Sequence, residues 1–276
     1  MGISLSMTAF KNQNLQGRSF QQQILNDADF SGADIRGCNF NKAQLAGANF
    51  ERVKAGLLPQ KLMLLSSMTI AIALLVGGAL SRLIFGALGQ IPNSSAWSFV
   101  LILYGVLSLA GASAGISSLN SISLKASRFA GTFSAVLSGA LLGFFYAGSA
   151  SKNNPSLAIA GAISASLVML AASVFFQQAL IRIAIATIAT VTTYGAAFLL
   201  GATASVSFSA DQVAIGITCA IATLVYILLT LNLLKSILRS LKLAATTSFK
   251  GANLTNARFD QANLNHTDFS QTIGYC

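Results

Sequence analysis

Residues 28–40 read ADFSGADIRGCNF, which places Phe30, Ile35 and Phe40 five residues apart. An amphipathic helix repeats its apolar face every three to four residues, and a half-buried strand alternates every two. A period of five fits neither element. It predicts instead a chain that changes direction once in every five residues.

The period runs without slip from residue 5 to residue 50, stops, and resumes over residues 247–270. From residue 26 onwards in the first block, and throughout the second, the residue two before each apolar centre is small. A large and a small residue at these offsets can both point inward only if four five-residue sides form a square coil. Stacked coils would then share strand-like hydrogen bonds about 4.8 Å apart. The predicted inward core residues are Phe30, Ile35, Phe40, Leu45, Phe50, Phe249, Leu254, Phe259, Leu264 and Phe269.

These residues resemble the pentapeptide-repeat proteins, whose A(D/N)LXX motif builds a right-handed quadrilateral β-helix. The resemblance is specific over residues 26–50 and 247–270 and weak over residues 3–25. It implies a solenoid of this kind for the repeats. Together with the apolar segment between the two blocks, described below, we expect a mixed fold, in which this solenoid accompanies an α-helical transmembrane bundle of about six spans.

The two repeat blocks define the expected domain limits. We expect residues 1–58 to form the N-terminal part of the solenoid and residues 244–276 to stack on it as the C-terminal part, with Phe50 and Phe249 stacking where they meet. Two separate small solenoids are the alternative, although five sides alone would bury little apolar surface.

The segment between the blocks, residues 59–243, has a membrane composition. The chain is 54% hydrophobic and 9% charged, whereas soluble proteins carry about a quarter charged residues. A soluble bundle is the alternative, but it could not hide six apolar stretches that lack a polar face. Each stretch is close to the ~20 residues that span a bilayer. The predicted spans are 62–80, 96–119, 129–149, 156–176, 183–205 and 213–234.

Basic residues orient these spans. Nine lie on one side, at alternate junctions, and the other side has only Arg82 and Lys152, with the acid Asp211. The excess of positive charge predicts that both termini are cytoplasmic. The bases flanking the two chain crossings are the expected membrane-interface anchors: Arg52, Lys54, Lys61, Lys235, Arg239 and Lys242.

The stretch FERVKAGLLPQK, residues 50–61, is similar to one in membrane-embedded pentapeptide-repeat proteins of cyanobacteria. This narrower resemblance implies a bacterial plasma membrane or a thylakoid membrane.

Candidate residues for catalysis or metal binding are few. The chain has one histidine, His266, and three scattered cysteines without CxxC spacing. Asp29 and Asp34 lie one repeat apart, on adjacent sides, as expected of turn formers rather than an acid–base pair. We therefore expect no catalytic residue, no metal, no cofactor and no enzymatic activity.

Small residues dominate the spans. GASAG at 111–115 and GALLG at 139–143 fit GxxxG, a pattern that lets helices approach closely. This pattern is compatible both with close packing of helices within the subunit and with a homo-oligomer, and the sequence does not distinguish the two. The most polar stretch of the spans lies at 187–194 and includes four threonines, whose hydroxyls can bond to carbonyls of their own helix.

The net charge of the two repeat blocks indicates which class of partner they can bind. Residues 1–58 have a net charge of +2, from six bases and four acids, and residues 244–276 are neutral. This balance does not suit mimicry of DNA, so no nucleic-acid partner is expected; it suits lipid headgroups or a docked protein. The hypothesis is an integral membrane protein that displays a cytoplasmic repeat platform as a non-enzymatic scaffold for protein–protein interaction. The alternative is a passive channel or carrier for an uncharged small solute, with the solenoid as a regulatory cap.

Overall fold

The computed structural model of the chain describes residues 9–90, 94, 97–119, 123–175 and 178–274. The chain forms two compact units. The first, here called the repeat unit, comprises Met1–Ser67 and Arg239–Cys276, and the second, the helical unit, comprises Met68–Leu238.

Six helices are long and apolar enough to cross a membrane, and each corresponds to one of the predicted spans. Four of them extend beyond the predicted limits, whereas the second is shorter than 96–119 and the fourth is shifted by one residue from 156–176. The first begins at Pro59, and proline is well suited to a first helical turn. The helices are α1 (Pro59–Leu88), α2 (Trp97–Ser117), α3 (Leu124–Ala150), α4 (Pro155–Phe175), α5 (Ala179–Ser209) and α6 (Val213–Ala245).

The repeat unit is held together by parallel bridges between residues twenty positions apart, such as Ala9 with Asp29 and Asn14 with Asp34. Four five-residue segments therefore make one coil. The bridges arrange the residues that precede the apolar centres into four rows. The first row is Ala9, Asp29, Asn49 and Arg258; the second is Asn14, Asp34, Lys54 and Asn263; the third is Ser19, Asn39, Ser248 and Asp268; the fourth is Ile24, Gln44, Asn253 and Ile273.

The order of the rows continues across the interruption of the repeat. Lys54 ends the first block in the second row, and Ser248 opens the next block in the third row, where it pairs with Asn39. An antiparallel bridge joins Leu57 to Thr246 at this point, and the Leu58 amide donates to the Ala245 carbonyl at 2.9 Å. The two blocks thus form one bridged unit, in which the order of the rows is kept across the interruption.

The prediction of a right-handed quadrilateral β-helix is wrong. Among the described residues there is no β-strand and no sheet, since the bridges are isolated and the secondary structure is dominated by the six helices. The physical reason lies in the period. Two of every five residues form a turn and only one forms a bridge, so the chain changes direction before a second consecutive residue can extend the ladder.

Two columns of phenylalanine fill the core of the repeat unit. Phe30 stacks on Phe50 with ring centroids 4.9 Å apart, and Phe40 stacks on Phe249 at 4.8 Å. Neighbouring rings of different columns meet edge to face, as Phe50 and Phe249 do at 5.4 Å. Stacked and edge-to-face contacts are both favourable for aromatic rings. The stacking partner of Phe50 across the interruption is Phe259, at 4.9 Å.

The helical unit packs through small residues. A Cβ atom added to Gly139 would lie 2.7 Å from the Cγ of Met169 on α4, and one added to Gly111 would lie 2.7 Å from the Tyr226 ring on α6. A second cluster of larger side chains fills the space between α1, α2, α3 and α5, and includes Leu80, Leu107 and Leu199. Close approach at glycines replaces the hydrophobic force that a lipid surrounding would not supply.

Candidate interaction surface

Several Asn and Asp residues that precede an apolar centre build the corner of their own coil. The Asp29 carboxylate accepts a hydrogen bond from the Ser31 amide at 2.9 Å, and the Asn39 side-chain oxygen accepts one from the Asn41 amide at 3.0 Å. Asn and Asp side chains make this bond to the backbone two residues on and so stabilise turns. The residue that completes the corner then has a left-handed backbone, such as Asp27 with a φ of 57°. Hydrogen bonds of this kind therefore fix residues in all four rows; in the fourth row the residue is Asn253, which accepts from the Thr255 amide at 3.1 Å.

The fourth row differs from the other three because it carries no charged residue. It consists of Ile24, Gln44, Asn253 and Ile273. The other three rows include the acids Asp29, Asp34 and Asp268 and the bases Lys54 and Arg258. We call the fourth row the isoleucine–amide row.

Two large apolar side chains project from the isoleucine–amide row. Ile24 is 79% exposed and Ile273 is 63% exposed. Since three coil steps of about 4.8 Å separate them, they lie on the order of 14 Å apart, with the two amide side chains in between. An exposed apolar pair around polar amides resembles the composition of a protein-binding patch more than that of a solvated surface.

The acid of the second row, Asp34, is already paired within the chain. The Arg36 guanidinium lies 2.7 Å from the Asp34 carboxylate, which also accepts from the Gln16 amide group at 2.7 Å. Partial burial opposes ionisation of Asp34, but the hydrogen bonds from Arg36 and Gln16 together outweigh it and hold the pKa below its ordinary value. The pKa of Asp29 is also lowered, chiefly by the Ser31 amide. These carboxylates stabilise turns and have no proton to transfer near neutral pH.

The point where the two blocks meet has a buried hydroxyl at its centre. Thr247 is fully buried, and its Oγ1 lies 2.8 Å from the Ile35 carbonyl, to which it donates. The same oxygen accepts from the Gly56 amide at 2.9 Å and from the Gly37 amide at 3.1 Å. One side chain of the second block thus bonds to two separate segments of the first. We call this arrangement the Thr247 junction.

The residues predicted as core lie inside the repeat unit to different degrees. Those in the middle coils are at most 1% exposed, whereas Phe259, Leu264 and Phe269 in the last coil are half-buried. The fully buried members are Phe30, Ile35, Phe40, Leu45, Phe50, Phe249 and Leu254.

The predicted membrane-interface anchors are mostly solvent-exposed. Lys61 is the exception: it is half-buried, and its Nζ donates to the Gly37 carbonyl at 3.2 Å. Arg52 forms an ion pair with Glu51 at 2.7 Å. The other four, all exposed, are Lys54, Lys235, Arg239 and Lys242.

The residues considered for chemistry occupy structural positions. Cys38 is buried with its Sγ 2.9 Å from the Leu15 carbonyl, and burial raises the pKa of its thiol to about 12, which disfavours the reactive thiolate. His266 is an exposed corner residue with a φ of 58°. Cys219 is half-buried, and Cys276 lies outside the described residues. Within the described part of the chain, no three His, Cys, Asp or Glu side chains are grouped as metal ligands.

The threonines of α5 bond to their own helix. The hydroxyls of Thr187 and Thr193 donate to the carbonyls of Ile183 and Ala189 at 2.8 and 2.7 Å, and those of Thr190 and Thr192 follow the same i−4 pattern. All four are buried. The polar stretch most relevant to a channel is therefore engaged in backbone hydrogen bonds.

Two features escaped the reasoning from sequence. Ile24 and Ile273 each occupy an outward position, and an apolar residue in a slot that is otherwise polar was the available signal. Thr247 stands where most repeats have alanine, but its role depends on Gly56, which is 191 positions away. No local pattern reports a bond over that distance.

The model of the pentapeptide-repeat family, described as "Pentapeptide repeats", matches residues 5–52 and 247–273 in eight copies. The matched segments are those that the bridges join, and the helical segment separates them. No curated protein and no solved structure matches the chain.

Proposed function

We propose that this chain is a membrane-anchored scaffold whose repeat unit binds a partner protein through the isoleucine–amide row. The observation that carries the proposal is the pair of exposed side chains, Ile24 and Ile273, on the one row without charge. Pentapeptide repeats matched by a family model support a surface built for interaction, and six apolar helices support a membrane anchor.

The rigidity of the row favours binding. Gln44 and Asn253 are bridged to each other, and both belong to coils whose core side chains are fully buried. A preformed surface loses little conformational entropy when a partner docks.

The surrounding membrane is part of the proposal. Both termini are placed on the cytoplasmic side by the excess of basic residues there, and the anchors would bind the headgroups of a plasma or thylakoid membrane. The scaffold would then keep its client at the membrane. A homo-oligomer through GxxxG remains a prediction, and Gly111, Gly115, Gly139 and Gly143 contact helices of the same chain.

The test is site-specific photo-crosslinking in native membranes. A photoreactive residue at position 44 would be compared between the unaltered chain and the double variant Ile24→Ser, Ile273→Ser. The expected result is one crosslinked protein, recovered in a fixed ratio, whose yield falls at least about tenfold in the variant because two apolar contacts of an interface are lost.

The matched control changes the second row instead. Asn14→Ser and Asn263→Ser keep a side-chain oxygen for the corner bonds to the Gln16 and Asn265 amides, 3.2 Å away in both cases. The control should retain the crosslink. If the crosslink is absent, or survives in the isoleucine variant, this row is not the binding surface.

A further inference from the structure

The helical unit contains an apolar cavity of about 340 Å³ between α1, α2, α3 and α4. Its inner walls are formed by aliphatic side chains, among them Leu103, Val106 and Leu141. This volume lies in the range of ligand-binding pockets, which is roughly 300–1,000 Å³.

A second cavity of about 510 Å³ continues from the first. The two share Arg82, Leu83, Phe99 and Phe144 as wall residues. The rings of Phe99 and Phe144 lie 6.2 Å apart, so an aromatic pair stands at the passage from one cavity to the other.

The polarity of the walls changes along this path. The second cavity adds Ser149 and Asn153, which lie where α3 ends and the turn to α4 begins. Helices that span a bilayer end at its interface, so the polar mouth belongs at headgroup depth and the apolar part lies in the hydrocarbon region. This gradient matches a molecule with one polar and one apolar end.

Arg82 gives the mouth a positive charge. It is exposed and forms no ion pair with any described residue. No carboxylate lines either cavity, and between Glu51 and Asp260 the sequence has a single acid, Asp211, in the α5–α6 connection. Since a guanidinium pairs well with phosphate or carboxylate, Arg82 is available to an anionic group from outside the chain.

The geometry points to a binding site for an anionic membrane lipid, with an acyl chain in the 340 Å³ cavity and the headgroup against Arg82. The inference rests on the membrane-spanning role of the helices and is independent of the scaffold surface. It gives the helical unit a ligand of its own.

Native mass spectrometry of the full chain in detergent tests this site. Phosphatidylglycerol and phosphatidylcholine with identical acyl chains are the probes, and one bound phosphatidylglycerol per chain is expected in preference to phosphatidylcholine. Arg82→Gln should lower that occupancy about fivefold, the effect of one basic side chain on an anionic headgroup. Arg182→Gln, which removes an exposed base that lines neither cavity, should leave occupancy unchanged.

A second pair of variants tests the acyl-chain cavity. Gly86 lines the cavity, and an added Cβ there has no neighbour within 4 Å, so Gly86→Leu fills space without a clash at its Cβ. Gly78 on the same helix has equally open surroundings but lines neither cavity, which makes Gly78→Leu the control. We expect lipid to be lost in the first variant and retained in the second.

Three results would overturn the inference: equal binding of the two lipids, equal effects of Arg82→Gln and Arg182→Gln, or full lipid occupancy in Gly86→Leu. Displacement of phosphatidylglycerol by inorganic phosphate would also contradict it, because the site would then bind an anion that has no acyl chain.

Discussion

The repeat unit and the helical unit treat large apolar side chains in opposite ways. Phe30, Phe40 and Phe50 are fully buried in the repeat unit, whereas Leu74 and Phe85 of α1 are 70% and 62% exposed. In the most apolar windows of α4 and α6 only 6% of residues are buried, against 56% in α5. An apolar surface of this extent is stable in lipid but not in water. The surfaces of the two parts of the chain therefore suit different solvents.

The comparison predicts its largest effect at the phenylalanine columns. Phe40→Ala should destabilise the repeat unit by about 3–5 kcal/mol, since it removes a buried ring that stacks on Phe20 and Phe249 and leaves a cavity. Hydrogen exchange of peptides from residues 26–50 measures the loss. Leu74→Ala, at an exposed position, should leave these peptides unaffected. Unchanged exchange in the Phe40 variant would contradict the role assigned to the column.

A second effect concerns the corner at Gly37. Its φ is +68°, and an added Cβ would lie 2.8 Å from the Leu58 Cβ. Gly37→Ala should cost about 2–4 kcal/mol, from a left-handed alanine and a steric overlap. Gly17 has a φ of +70° but meets only the end of the Leu58 side chain, at 3.5 Å.

Gly17→Ala should therefore cost about 1–2 kcal/mol, the backbone part alone. Urea unfolding of Gly37→Ala and Gly17→Ala, monitored by limited proteolysis of the repeat unit, would compare the two losses of stability. Equal losses would show that the contact with Leu58 has no energetic weight.

The Thr247 junction gives a smaller effect. Thr247→Val keeps the shape of the side chain but leaves the buried Gly56 amide without its acceptor, at a cost of about 1–3 kcal/mol. Thr246→Val removes a hydroxyl that bonds only to the Lys242 carbonyl in the preceding turn, and it should change stability by less than about 0.5 kcal/mol. The same proteolysis assay applies, and Thr247→Ser should restore most of the loss.

The smallest expected effect is that of pH on the repeat unit. Asp29 and Asp34 have lowered pKa values, so their contribution to stability is present above the ordinary carboxylate pKa of about 4 and is lost as the pH falls through their folded-state values. Asp34→Asn keeps an acceptor for the Arg36 amide, 3.2 Å away, and should cost less than about 1 kcal/mol at neutral pH.

The Asp34→Asn variant should also show a weaker fall in urea resistance between about pH 5 and pH 3. If the urea resistance of Asp34→Asn falls with pH as much as that of the unaltered chain, other groups cause the loss of stability in acid.

Much of the architecture could be predicted from local patterns. Hydropathy identified all six apolar helices, because a helix satisfies its own backbone and needs only length and composition to cross a membrane. The five-residue period placed Phe30 and Phe40 at equivalent positions. The strand content was predicted wrongly. The period shows on which face of the coil a residue lies, but it does not show whether the segment between two corners is long enough to form the hydrogen-bond ladder of a β-sheet.

The candidate surface was less accessible. Ile24 and Ile273 belong to one row because three successive bridges join Ile24 to Gln44, Gln44 to Asn253, and Asn253 to Ile273. The middle bridge crosses the interruption of the repeat. Sequence alone could not tell which side of a coil Ser248 would occupy, since the answer depends on how residues 55–58 and 245–247 close the gap. The cavity near Arg82 depends in the same way on the packing of four helices.

The sequence by itself determined the contrast in hydropathy between the two parts of the chain, the period of the repeat, and the residues available for its core, because these follow from side-chain hydrophobicity and short-range spacing. Only the tertiary structure decided which outward residues form a row, that the repeat resumes in register across the helical segment, and that Thr247 bonds to Ile35, Gly37 and Gly56. These outcomes depend on contacts between residues about two hundred positions apart, and their geometry is set by the closure of the whole unit.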